Sequence, residues 1–176
     1  MTNRCLFTLL LLLLPVAGCG YHNPYVPAAG EAGPPITLHL AMWENHTNEL
    51  GLESTIFQTL NSWFRRNPRV RLTQDRAAAD FHLRGQILAI TLPGSAYTRY
   101  DQAQEVEATL TVRFTLRKNN PDAVVCQKDG LTLSKFFTLT NDAASTRGNK
   151  EKALAAMADD LAEQIYDQVL DSTIAR

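Results

Sequence analysis

Val106, Ala108, Leu110, Val112, Phe114 and Leu116 alternate with Glu105, Glu107, Thr109, Thr111, Arg113 and Thr115 without a break. Side chains on a strand point alternately to opposite faces, so this run is a long strand with one apolar and one polar face. A strand of that kind cannot stand alone. Its apolar face demands a covering layer, and its polar face is free to meet water or a partner.

Shorter segments supply both needs. Ile36, Leu38, Leu40 and Met42 share one face of a strand over 36–43, with Thr37, His39, Ala41 and Trp43 on the other. Thr47 or Asn48 can cap the helix that follows, in which Leu52, Ile56, Leu60 and Trp63/Phe64 recur every three or four residues until Asn67-Pro68 stops it. Val70 and Leu72 make a short strand. Phe81, Leu83, Gly85 and Ile87 share a face of another, which ends near Pro93-Gly94. Polar loops are expected over 94–104 and from Thr140 to Gly148, and Asn119-Asn120-Pro121-Asp122 is a turn. Residues 123–139 read as a further strand, open to a break at Asp129-Gly130. Leu154, Met157, Leu161, Ile165 and Val169 line a closing helix. The order β-α-β-β-β-β-α, with short turns between the later strands, predicts an α+β two-layer sandwich. Its mostly antiparallel sheet has four to five strands and two amphipathic helices on one face.

The first residues have a different character. Arg4 precedes an apolar run from Leu6 to Val16, with six consecutive leucines from Leu9 to Leu14. A membrane-spanning helix needs ~20 apolar residues, so this run fits the core of a secretory signal. Val16-Ala17-Gly18-Cys19 follows at once and resembles a lipobox, with Val16 where leucine is usual. Cys19 is therefore the expected lipidation site, and the covalent acyl chains there are the only cofactor-like group expected. Two or three such chains give stable membrane attachment where one does not. Gly20, in place of Asp, points by resemblance to known sorting rules to the outer membrane. The expected organisation is a signal peptide over 1–18, the lipidated cysteine and a Pro/Gly-rich linker over 19–35, and a globular domain over 36–176. At ~3.1 Å per extended residue the linker reaches on the order of 50 Å.

Charge narrows the partners. Seventeen basic against eighteen acidic residues leave a net −1, and removal of Arg4 makes the balance more acidic. Nucleic acid is not the expected partner, because phosphate-backbone binding needs a basic surplus. Cys5 leaves with the signal and Cys19 becomes a thioether, so Cys126 has no disulfide partner. In the apolar run Val124-Val125-Cys126 it reads as a small buried hydrophobe rather than a reactive thiol. Catalytic signatures such as G-x-S-x-G, H-E-x-x-H, a P-loop and C-x-x-C are absent, and no enzyme is expected. His39 and His82 fall on the outer faces of their strands. They read as solvated sheet histidines that, were the strands neighbours, could approach and bind a metal. Asp159-Asp160 reads as part of a solvated helix face. Arg65, Arg66, Arg69 and Arg71 cluster at the first helix's end, either complementing its dipole or forming an anion site. Arg99 and Arg147 are each expected in a polar loop beside the sheet, where binding residues tend to lie.

Several motifs, in order, resemble the lipopolysaccharide-assembly lipoprotein family LptE. They are Cys19-Gly20-Tyr21-His22 after the lipobox, Trp43-Glu44-Asn45-His46-Thr47, Gly51-Leu52-Glu53 opening a helix, and the strand Ala79-Asp80-Phe81-His82-Leu83-Arg84-Gly85-Gln86-Ile87. The resemblance implies a two-layer α/β domain seated as a plug in an outer-membrane barrel of the LptD kind, the pair delivering lipopolysaccharide to the outer leaflet. It implies lipopolysaccharide contacts at Arg99 and Arg147, attachment to the inner leaflet of the outer membrane through Cys19, and no covalent chemistry. A similar pattern of motifs occurs in CsgG-like and LpoB-like lipoproteins. That leaves a periplasmic protein-binding module or a secretion subunit as the alternative.

Overall fold

The computed structural model describes residues 35–92 and 104–173. Among them the chain order is β1 (Ile36–Leu40), β2 (Glu44–Asn45), α1 (Leu52–Arg65), β3 (Val70–Thr73), β4 (Phe81–Thr91), β5 (Gln104–Lys118), β6 (Ala123–Leu139) and α2 (Ala143–Thr173). The strands form one six-stranded sheet in the order β3-β1-β4-β5-β6, with β2 beside β4. The fold is α+β in two layers, with two more short strands than the lower end of the expected count.

The alternating run of β5 behaves as its pattern demands. Val106, Ala108, Leu110, Val112, Phe114 and Leu116 are all buried. They share the core with Leu52, Ile56, Leu60 and Phe64 of α1 and with Leu154, Met157, Leu161, Ile165 and Val169 of α2. α2 lies along β6 and packs on α1, which in turn reaches β3. Both helices thus cover one face. The apolar face of β5 is therefore core. Among the described residues no helix is long and apolar enough to cross a membrane.

Most strand pairing lies in two long antiparallel ladders, β4 with β5 and β5 with β6. The first strands depart from the expected antiparallel meander: β1 is parallel to both β3 and β4. The connection 74–80 must therefore recross β1 in seven residues, and side chains hold it there. The Asp80 carboxylate accepts the Thr37 amide at 2.7 Å and its hydroxyl at 2.6 Å. The Asn119 amide donates to the carbonyls of Arg76 and Ala79 at 2.6 and 2.7 Å. Short connections usually reverse a strand, but this one is stapled from both sides and runs parallel.

Three further boundaries differ from expectation. The strand over 36–43 breaks after Leu40, so Met42 is 55% exposed and Trp43 is the core residue. α1 is not capped by Thr47 or Asn48. Its N-cap is Gly51 with φ of 86°, a left-handed conformation that suits glycine. α2 begins inside the polar stretch expected to be a loop, because the Asp142 carboxylate accepts the Ser145 amide at 2.7 Å as an N-cap. β6 is continuous through Asp129-Gly130, where the register slips and Gly130 takes φ of 73°. Nearly all of the expected 94–104 loop lies outside the described residues.

Candidate functional site

The Trp43–Thr47 motif builds a structural node. Trp43 lies across Gly85 on the buried face of β4, and a β-carbon at Gly85 would fall deep inside the indole's six-membered ring. Glycine is the residue that lets the ring lie flat on the backbone. Asn45 then ties the chain to α1. Its amide donates to the Glu49 carbonyl at 2.9 Å and to the Glu53 carboxylate at 2.7 Å. Its carbonyl accepts the Thr47 amide and hydroxyl at 2.9 and 2.7 Å. The Asn45 hydrogen bond holds the Glu53 carboxyl below the usual carboxylate range. The Lys150 ammonium closes the node onto α2 with a 2.8 Å bond to Glu49. These motif residues orient the helices over the sheet and leave the opposite face open.

That open face holds the most concentrated ionisable group of side chains. β1 and β4 are neighbours, and His39 and His82 stand opposite one another in their register. Their Nδ1 atoms are 2.8 Å apart, so one ring donates and the other accepts. His82 is not solvated, being 6% exposed, while His39 is half-buried. Burial, together with the positive charges of Arg76, His39 and Arg84, pushes the His82 imidazole down to about 4 from its ordinary 6.5. Its neutral form is favoured. Two nitrogens do not make a metal centre, and among the described residues no three His, Cys, Asp or Glu side chains converge on one. The pair instead floors a groove of about 570 Å³ that Arg76, Arg84, Gln86 and Gln127 also line.

The other described residues singled out by sequence do not line this groove. Arg147 is exposed within the first turns of α2, not in a loop. Arg99 lies outside the described residues, as does Cys19. Arg66 stacks on Trp63 at 5.1 Å, and Arg65 closes the last turn of α1 where it complements the helix dipole. Arg69 and Arg71 lie beyond the helix, Arg71 on β3. Cys126 is half-buried against the core, its Sγ 3.6 Å from the side-chain Oε1 of Gln168. Asp159 accepts the Trp63 indole N–H at 2.7 Å and Asp160 pairs with Lys135 at 2.7 Å, so both carboxylates fasten α2 to its neighbours. Sequence reasoning missed Arg76 and Arg84. Arg84 alternates outward beside His82, a signal that was available; Arg76 arrives through the recrossing connection, which no local pattern reveals.

The architecture defines a class: two-layer α+β domains with helices on one face of the sheet and a polar face left open. Within that class, the chain belongs to LptE, the lipopolysaccharide-assembly family, whose sequence pattern it matches over residues 37–169. No curated protein sequence matches it significantly. Solved structures share the fold. The hypothetical protein CT253 from Chlamydia trachomatis aligns with TM-score 0.57 at 11% identity, covering 81% of this chain and 99% of that one. The uncharacterized lipoprotein B from Nitrosomonas europaea aligns with TM-score 0.50 at 16% identity, covering 85% and 92%.

Proposed function

We propose that this chain is an outer-membrane lipoprotein, anchored through Cys19 and facing the periplasm. In this reading it seats in and supports an LptD-type barrel and helps deliver lipopolysaccharide to the outer leaflet. The observation that carries the reading is membership of the lipopolysaccharide-assembly family across nearly the whole described domain. The open sheet face supports it: Glu105, Glu107, Thr109, Thr111 and Arg113 on β5 are exposed or half-buried, a mixed polar surface suited to a hydrated barrel wall. The protein's part is positional and breaks no covalent bond.

Within this reading Arg99 and Arg147 contact lipopolysaccharide. The exposure of Arg147 on the first turns of α2 supports this, the helix's positive end adding to its charge. Purification of the tagged chain from detergent-solubilised outer membrane tests the partner. A large β-barrel should co-purify at one-to-one stoichiometry. Recovery of a peptidoglycan synthase in its place would overturn the reading. Charge reversal of Arg99 and Arg147 should weaken lipopolysaccharide binding with the circular dichroism spectrum unchanged.

A further inference from the structure

We propose that the groove on the open sheet face is a binding site for a phosphoryl group, gripped by Arg76 and Arg84 with the His39–His82 pair as its floor. This goes beyond support of a barrel and does not depend on it, because it gives the domain an anionic ligand of its own. It is also separate from Arg147, which does not line the groove.

The charges define the ligand. Arg76 comes from the connection between β3 and β4, and Arg84 from β4 itself. Both are exposed and both line the groove. Among the described residues neither guanidinium has an ion pair, whereas Arg113 is bound to Asp129 and Arg117, the register partner of His82 on β5, is bound to Asp122. The sequence spends acidic residues on the neighbouring arginines and leaves these two uncompensated. The one carboxylate at the rim, Glu44, is engaged by Gln86 at 2.6 Å and by His46 at 3.6 Å. Two free guanidiniums over a protonatable imidazole pair carry more positive charge than a single carboxylate neutralises. A phosphoryl dianion matches them, and the planar guanidinium fork suits its oxygens. The same field that keeps His82 neutral disfavours a metal cation.

Anion binding and imidazole protonation are linked. Burial first, and then the Arg76, His39 and Arg84 charges, oppose a proton on His82; a bound dianion offsets the charges and eases the proton on. The ligand should therefore bind more tightly in mild acid, with a proton taken up.

The test titrates inorganic phosphate into the full-length chain in zwitterionic detergent and follows the histidine Cε1–H resonances. A second arm measures partition onto phosphatidylcholine vesicles with and without phosphatidic acid. Saturable shifts with free phosphate alone assign a soluble phosphate. Preference for the phosphatidic acid vesicles assigns a lipid headgroup. Either result supports the site if Arg76→Gln and Arg84→Gln each weaken binding roughly tenfold, while Lys152→Gln leaves it unchanged. Sulfate, a dianion throughout, should bind roughly fivefold or more tightly at pH 5 than at pH 8. Absence of saturable binding in both arms overturns the proposal. So does binding that survives the double arginine variant, or tighter binding of an oligoglutamate peptide, which would assign the groove to an acidic protein partner. A flat sulfate profile overturns the part given to the histidines.

Discussion

Trp43 shows how one side chain can set the geometry of two elements. Period two places it on the outer face of its strand, yet it is 2% exposed because the chain leaves the strand after Leu40. Its indole then needs bare backbone beneath it, which Gly85 provides. Gly85→Ala should therefore destabilise the domain by about 1–3 kcal/mol, the range for overpacking a filled core. A urea midpoint lowered at constant slope would register this. Adding Trp43→Leu should recover part of the loss, whereas strict additivity of the two changes would mean the ring does not rest on that residue. His82 makes a second argument at this scale. Its folded value near 4 lies below the ordinary 6.5, so between those values the unfolded chain binds more protons. Stability is then complete above pH 6.5 and falls as pH drops toward 4, by about 2–3 kcal/mol in all. Asp80 adds a loss at still lower pH. The Thr37 hydrogen bonds hold its carboxyl below the usual range, and protonation removes their preference for the charged form. Thermal melts of His82→Phe should lack the upper part of this acid slope. An unchanged slope would show that His82 titrates normally in the folded state.

Among the elements, α2 separates what a sequence pattern can reveal from what it cannot. Its core face, from Leu154 to Val169, is plain from spacing because helix-period burial is a local property. Its start is not, because polar residues such as Asp142, Ser145 and Thr146 suit a loop and a capped first turn equally well. Asp142 decides between them by accepting the Ser145 amide. Leu161→Ala at the fully buried centre of that face should cost about 3 kcal/mol, and Asp142→Ala, at an exposed cap, much less. Amide exchange should separate them, the first loosening the whole domain and the second only the turns around Arg147. The β3–β4 connection carries the same lesson. Its strands are legible from Val70, Leu72, Phe81 and Leu83, but its parallel direction rests on Thr37–Asp80 and Asn119–Arg76 contacts between residues about forty positions apart. The groove inherits that gap. His39 and His82 were visible on outer faces, while their pairing and the arrival of Arg76 depend on strand order.

For the whole molecule, the proposed anchor and the domain should make separable contributions. The core of the described residues is built from both helices and the inner sheet face. Folding should therefore be indifferent to the cysteine at position 19. Membrane attachment should not be, since stable binding needs two or more acyl chains and a chain without the thiol can accept no diacylglyceryl group. Cys19→Ala is expected to leave the melting temperature of the purified chain unchanged while moving it from the membrane pellet to the soluble periplasmic fraction. If the proposed barrel role holds, one-to-one recovery with the barrel should fall steeply at native expression and return when the variant is overproduced. Tethering confines the domain to a shell about as deep as its ~50 Å linker, and raising the bulk concentration substitutes for that confinement. Failure of overproduction to restore the complex would mean that the lipid is itself part of the interface.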